Sequence, residues 1–316
     1  PHLTLFRNYQ TAKAPRTPRP KWLMGEKGTM MVKRKVVLTG AAGYVAQRML
    51  AELQARYDLV LLDARPTTRD GKAVPTLQVV DLTDPNREAY RRHFAGAEAV
   101  VHCAFVRAPG LDATTFLDNS EPKFRAEHAN VGMAYNVYQT ALEEGVRRVV
   151  VTSSCHAADF YERLIWAEKW DVVTPEMLPV SDNFYGWAKA AYELLGFVFA
   201  TGQGLPRRLE VVQIRIGGPR DTADLEKCRP GEIKKMHRGL GAYLSRRDQA
   251  QLFIRSIEAP NIENEHGVPF QIFYGISGNT HRFWSITNAR RVIGYAPEDD
   301  SQVSFARRIA ELSQKG

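Results

Sequence analysis

A phenol and an ammonium stand one helical turn apart in Tyr185-Gly186-Trp187-Ala188-Lys189. At i and i+4 they share a helix face. A cation beside a phenol favours the phenolate, which makes tyrosine a usable general base near neutral pH. Upstream, an apolar run runs into Thr152-Ser153-Ser154-Cys155-His156, so Ser154 lies where a parallel strand delivers its residues to a ligand crevice. Ser154 and Tyr185 then converge on one substrate oxygen, and the chemistry is proton removal from a hydroxyl.

A second constellation is Val36-Val37-Leu38-Thr39-Gly40-Ala41-Ala42-Gly43-Tyr44-Val45-Ala46. Glycines at a strand-to-helix junction permit positive torsion, and a missing side chain lets a pyrophosphate approach amides at the helix N-terminus. The spacing is Gly-x-x-Gly-x-x-Ala, a variant of the plain dinucleotide fingerprint. Asp63 follows Gly43 by twenty positions, at the end of a second strand. Its carboxylate is suited to ribose hydroxyls and repels a 2′-phosphate, which favours NAD over NADP, while Arg65 is a cation able to pair with that phosphate. Asp81-Leu82 either meets the adenine edge or caps a helix before Pro85.

The elements that must position these residues alternate. Strands are expected over 35–39, 59–63, 77–80, 97–103, 148–152 and 209–216, with helices over 43–56, 121–144 and 182–201. This is the pattern of βαβ crossovers around a parallel sheet covered on both faces. After Gly217 the rhythm breaks into a helix over 246–257, a strand over 269–274 and short helices over 285–293 and 303–312. The expected class is α/β, a Rossmann-type doubly wound parallel sheet with a small C-terminal substrate subdomain. Residues 1–34 read as a basic arm, 35–217 as the NAD-binding domain with the catalytic residues, and 218–316 as the substrate-binding subdomain.

At 316 residues, 44% of them apolar and 25% charged, the chain can bury a sizeable core without metal or disulfide staples. The formal charge of +8 is local: residues 1–35 hold nine of the 43 basic side chains and one of the 35 acids, leaving the rest neutral. A neutral body argues against nucleic acid as a partner. The longest apolar stretch, 99–106, is far short of the ~18 residues of a membrane span. Cys103, Cys155 and Cys228 show no metal-ligand spacing and read as reduced thiols of a cytoplasmic protein; no metal is expected.

Taken in order, Gly40 to Ala46, Asp63, Asp81-Leu82, Val101-His102-Cys103-Ala104, Asn130, Ser153-Ser154 and Tyr185 to Lys189 resemble the extended short-chain dehydrogenase/reductases, the NAD-dependent epimerase/dehydratase family. The resemblance implies a Tyr185 base, a Lys189 that holds the nicotinamide ribose and lowers the Tyr185 pKa, a Ser154 that polarises the reacting oxygen, and NAD as hydride carrier. It also implies cofactor contacts at Gly40, Ala42, Gly43, Tyr44, Val45, Asp63, Asp81, Leu82 and Ala104. Asn130 either holds the long helix and a water in the proton path or caps that helix.

The nearer likeness is to the uronate dehydrogenases, through Ser153-Ser154-Cys155-His156, Ile214 to Gly218, Arg238 to Asp248 and Phe283 to Pro297. By that likeness His156 contacts sugar hydroxyls and Arg238 a substrate carboxylate, as suits a planar guanidinium. Cys155, Gly218 and Arg107 depart from the family, which has Asn, Ser and Ser there, so the pocket is remodelled.

An acidic small-molecule substrate and a homo-oligomer are expected, with sugar or sugar-acid oxidation as the activity. The competing readings are a nucleotide-sugar epimerase or dehydratase with tightly bound NAD, and a dinucleotide-binding sensor without turnover. Plainer roles also fit several residues: a packed His102, a turn His156, an Arg215 paired with a local acid, and an Arg238 in solvated helix charge. Removing residues 1–30, which lack helix or strand periodicity, leaves soluble yield and turnover intact. A loss of soluble protein, or a changed size on gel filtration, would show that the arm packs on the body or on a second copy.

Overall fold

The computed structural model describes residues 33–108 and 119–313. The basic arm therefore lies outside the described residues except for Lys33 and Arg34. Seven parallel strands form one sheet: β1 (Lys35–Thr39), β2 (Asp58–Asp63), β3 (Gln78–Val79), β4 (Ala99–His102), β5 (Arg148–Ser154), β6 (Glu210–Ile216) and β7 (Phe270–Gly275), in the order β3-β2-β1-β4-β5-β6-β7. The central strands are Val- and Leu-rich because both of their faces are covered. Val36 and Leu38 point into one core with Leu53, Phe253 and Ile257, whereas Val37 points into the other with Met133, Val137 and Phe199. Alternation along a strand thus separates the two helical layers.

One layer holds α2 (Leu50–Arg56), α7 (Arg246–Glu258) and α8 (Thr287–Ile293), and the other α3 (Glu121–Glu143) and α5 (Phe184–Thr201). The strand order reverses between β1 and β4, which opens a crevice at their carboxyl ends. The single helix expected over 43–56 is two, α1 (Tyr44–Gln47) and α2, because Met49 leaves helical torsion at φ −122, ψ 3. At the break the buried Arg48 guanidinium donates to Gln249 Oε1, the Leu244 carbonyl and Asp221 Oδ1. It ties the first crossover to the C-terminal third.

Residues 218–316 do not stand apart from the sheet. β7 pairs with β6 from Val211↔Phe270 to Ile216↔Gly275, and α7 contributes to the same core. Two helices absent from the sequence pattern, α4 (Phe160–Trp166) and α6 (Ile233–Ala242), flank the carboxyl edge. α6 mixes Lys234, Lys235, His237 and Arg238 with two glycines, and neither helix has a side-chain N-cap. The chain ends in α9 (Ser301–Ser304) and α10 (Ala306–Ser313). Among the described residues no helix is long and apolar enough to cross a membrane.

Beneath the carboxyl edge Arg215 and Glu193 form a buried pair: Arg215 Nη2 donates to Oε2 at 2.8 Å and Nε to Oε1 at 3.0 Å. Ser153 Oγ donates to Oε1 at 2.5 Å, and Arg215 Nη1 donates to the Tyr274 hydroxyl at 3.2 Å. The local acid expected for Arg215 is therefore Glu193. Removing one partner strands the other charge without water, so Glu193→Ala lowers unfolding free energy by about 3–5 kcal/mol in urea titrations. A loss below ~1 kcal/mol would contradict the pairing.

Candidate functional site

Ser154 is the last residue of β5, two positions beyond the expected end of that strand, and its Oγ accepts from the His156 N–H at 3.3 Å. Tyr185 and Lys189 lie in the first two turns of α5, whose N-cap Asn183 accepts from the Gly186 N–H at 2.9 Å. A Cβ on Gly186 would sit 2.0 Å from the His156 carbonyl, so only glycine lets α5 press onto the turn after β5. That contact brings Ser154 close enough to Tyr185 for its hydroxyl to pull the phenol pKa downward. Lys189 Nζ donates to the Thr152 carbonyl at 3.0 Å and lies over the Tyr185, Phe105 and Tyr192 rings.

Burial dominates the electrostatics. It lowers the Lys189 ammonium to about 8, against the upward pull of Glu127. It pushes the Tyr185 phenol well above its ordinary value, outweighing the Ser154 hydrogen bond. The downward shift of Tyr185 expected from Lys189 is therefore not realised: desolvation of the phenolate is the larger effect.

The loop after β4 closes over this centre. Phe105 meets the Tyr185 ring edge-to-face at 5.6 Å. Asn130, in the middle of α3, accepts from the Val106 N–H at 2.8 Å and donates to its carbonyl at 2.9 Å. Asn130 thus does not cap α3, whose N-cap is Ser120; it clamps the loop that carries Phe105. Its Nδ2 also donates to Glu127 Oε2 at 3.2 Å, and Glu127 pairs with Lys123 at 2.8 Å, both buried. Lys123 Nζ is 5.4 Å from the Tyr185 ring centre. Sequence reasoning missed Lys123 and Glu127, although their i,i+4 spacing one turn before Asn130 was visible.

On the opposite wall His156 Nδ1 bonds Asp159, which also accepts from Asn183 Nδ2 at 3.1 Å, and the His156 ring packs on Tyr185 at 5.5 Å. Burial raises the Asp159 carboxyl, but His156 and Arg238 together hold it below the usual range. Cys155 is buried, which pushes its thiol up to about 12. Arg238 Nε donates to both Glu162 oxygens, at 2.8 and 3.1 Å. Arg238, expected by family likeness to meet a substrate carboxylate, thus has a partner within the chain. Arg107 is exposed in the loop after β4. Gly218 carries main-chain bonds only, donating to the Ala242 carbonyl at 2.6 Å and accepting from the Leu244 N–H at 3.0 Å.

Along the crevice Gly40 has φ +67, and a Cβ there would lie 2.5 Å from the Ala104 nitrogen. The positive torsion expected of the loop falls on Gly40, not on Gly43, which caps α1 at φ −76. Asp63 Oδ2 accepts from the Ala42 N–H and Oδ1 from the Arg65 N–H, each at 3.0 Å. With Ala41 bound to the Leu62 carbonyl and Gly43 to the Gly40 carbonyl, the uncapped amides of Tyr44 and Val45 come next in the turn. The cradle fits a dinucleotide: a side-chain-free turn, helix amides, and a carboxylate with lone pairs beyond its two amide bonds. Asp81 instead closes a local turn, accepting from the Thr83 N–H and hydroxyl, and caps no helix; Leu82 is buried. His102 is packed, Nδ1 on Thr39 Oγ1 at 2.7 Å, and burial with Lys189 nearby lowers it to about 3. No cluster able to hold a metal occurs among the described residues.

A model of the NAD dependent epimerase/dehydratase family matches residues 36–227. The chain is 32% identical to an NAD-dependent glucose-6-phosphate dehydrogenase of Haloferax volcanii, over 84% of this chain and 94% of that protein. It is 26% identical to a uronate dehydrogenase of Pseudomonas syringae pv. tomato, over 88% and 86%. A solved structure of a mutated uronate dehydrogenase has the same fold, with a TM-score of 0.67 at 23% identity over 90% of this chain and 88% of that one.

With Asp63 at the end of β2 and Arg65 more than half exposed, NAD binds at least about tenfold more tightly than NADP, a gap of ~1.4 kcal/mol. Equal affinities by calorimetry would transfer the selectivity to Arg65.

Proposed function

The chain belongs to the NAD dependent epimerase/dehydratase family and is an NAD-dependent oxidoreductase acting on CH–OH groups, and we propose that it oxidises a hydroxyl of a sugar or sugar acid with Ser154, Tyr185 and Lys189 at the reacting oxygen. The observation that carries this reading is the gathering of Ser154 at the end of β5, Tyr185 on α5 and a buried Lys189 5.5 Å from the Tyr185 ring centre at the carboxyl edge of the sheet. The dehydrogenases of H. volcanii and P. syringae support a sugar as substrate. The turn at Gly40–Val45, Asp63 and Lys189 would hold NAD, which when bound would supply the hydride acceptor.

Ser154 holds the substrate oxygen by hydrogen bonding, and Tyr185 Oη receives its proton. Because burial leaves little phenolate at neutral pH, Tyr185 has first to lose its own proton to water, and the Lys189 cation steadies the phenolate so formed, which then takes the substrate proton. Thr152, through its carbonyl, fixes that ammonium, and Phe105 covers the ring from the β4 side. Asp159 orients His156 against Tyr185 on the substrate side. Helix α6 and the turns around it supply the substrate wall expected of residues 218–316.

Cys103, Cys155 and Cys228 are free thiols, which suits a cytoplasmic site of action. Exposed Tyr135 on α3 and Leu194, Phe197 and Val198 on α5 support the homo-oligomer. Tyr185→Phe lowers kcat by roughly 10²–10⁴-fold with NAD affinity nearly retained, read by steady-state kinetics and calorimetry. Turnover close to that of the unmodified enzyme would remove Tyr185 as the base.

A further inference from the structure

Two carboxylates and one guanidinium crowd the wall between β5 and α6. Asp159 precedes α4 and Glu162 lies one turn on, so both face the same side. Arg238 reaches across from α6 to Glu162, and the charges of Arg238, Asp159 and Glu162 all act on the buried Cys155 thiol, next in sequence to Ser154. The pair is sheltered, with the Glu162 side chain 15% exposed and that of Arg238 35%. Glu162 and Asp159 together hold Arg238 firmly in its charged form against the cost of burial. The guanidinium therefore already has a carboxylate, and a second carboxylate stands close behind it.

We infer that Glu162 is a specificity-determining residue, which neutralises Arg238 and sets the enzyme to take a neutral sugar in preference to the corresponding sugar carboxylate. This rests on the proposed sugar oxidation and narrows its substrate class. A substrate carboxylate entering here has to displace Glu162, whose two oxygens share the Arg238 Nε–H, or sit beside two like charges in a partly sheltered site, and either route is costly. A neutral hydroxyl or hydroxymethyl group carries no such penalty and can hydrogen-bond to the carboxylates. The exposed Arg107 on the other side sits in solvent, where its attraction for an acid is screened.

The test compares unmodified enzyme and Glu162→Gln on two matched pairs, D-glucose with D-glucuronate and D-galactose with D-galacturonate. NADH formation gives kcat/KM, and calorimetry gives the affinity for each compound. The unmodified enzyme favours the neutral member of a pair by tenfold or more. Glu162→Gln, which keeps shape but removes the charge, moves the ratio toward the acid by at least tenfold, through KM, and adding Arg238→Ala cancels the gain. Glu162→Ala serves in its place if the glutamine variant does not fold.

An unmodified enzyme that prefers the acids, or a ratio unmoved by Glu162→Gln, overturns the inference. If none of the four compounds is oxidised, the proposed activity on these sugars fails separately and calorimetry decides the charge question. Acid binding strengthened tenfold by Glu162→Gln upholds the inference, and acid binding unchanged by it overturns it.

Discussion

Lys189 keeps its ammonium out of water with a main-chain carbonyl at 3.0 Å and three aromatic rings around it, and burial brings its pKa down to about 8. Such a charge is expensive to hold, and much of the local architecture follows from holding it. The Thr152 carbonyl is available because β5 ends beside α5, and α5 can approach because Gly186 has no side chain to meet the His156 carbonyl. Phe105 is in place because Asn130 clamps Val106. The same burial raises Tyr185, so in the proposed mechanism the two groups act as a unit. A phenolate without its neighbouring cation would be still less accessible.

Several sheltered charges of this protein are matched by a neighbour of opposite sign. Arg215 has Glu193, Arg148 has Glu210, Lys123 has Glu127 and Arg238 has Glu162. Arg148 with Glu210 braces the amino end of β5 and β6, and Arg215 with Glu193 lies just beneath Ser154 and Lys189. Of the last two, Lys123 with Glu127 lies beside Tyr185, and Arg238 with Glu162 lies by the buried Cys155, next in sequence to Ser154. In such a site the partner of an arginine says more about the ligand than the arginine does.

The sheet and the gathering of Ser154, Tyr185 and Lys189 were legible in the sequence because both are written locally. Buried strands are short runs of Val, Leu and Ile, and Tyr185 with Lys189 is a spacing within one helix. Strand ends were less legible: β5 continues to Ser154 because Ser153 and Ser154 pair with Arg215 and Ile216 of β6, which no local propensity reports. The pairing of Glu162 with Arg238 joins two helices that the sequence pattern did not reveal, 76 positions apart. Family likeness pointed to Arg238 but could not supply its partner. The Tyr185 shift went astray for a related reason: spacing shows the neighbouring cation but not the depth of burial.

The central claim is that the Tyr185 centre completes a net oxidation. Its most direct test is a stoichiometric assay with free NAD and a panel of neutral, acidic and phosphorylated sugars, following NADH by absorbance and sugar products by mass spectrometry. The account predicts NADH accumulating one for one with an oxidised sugar. An isomerised or dehydrated sugar with no net NADH would contradict it.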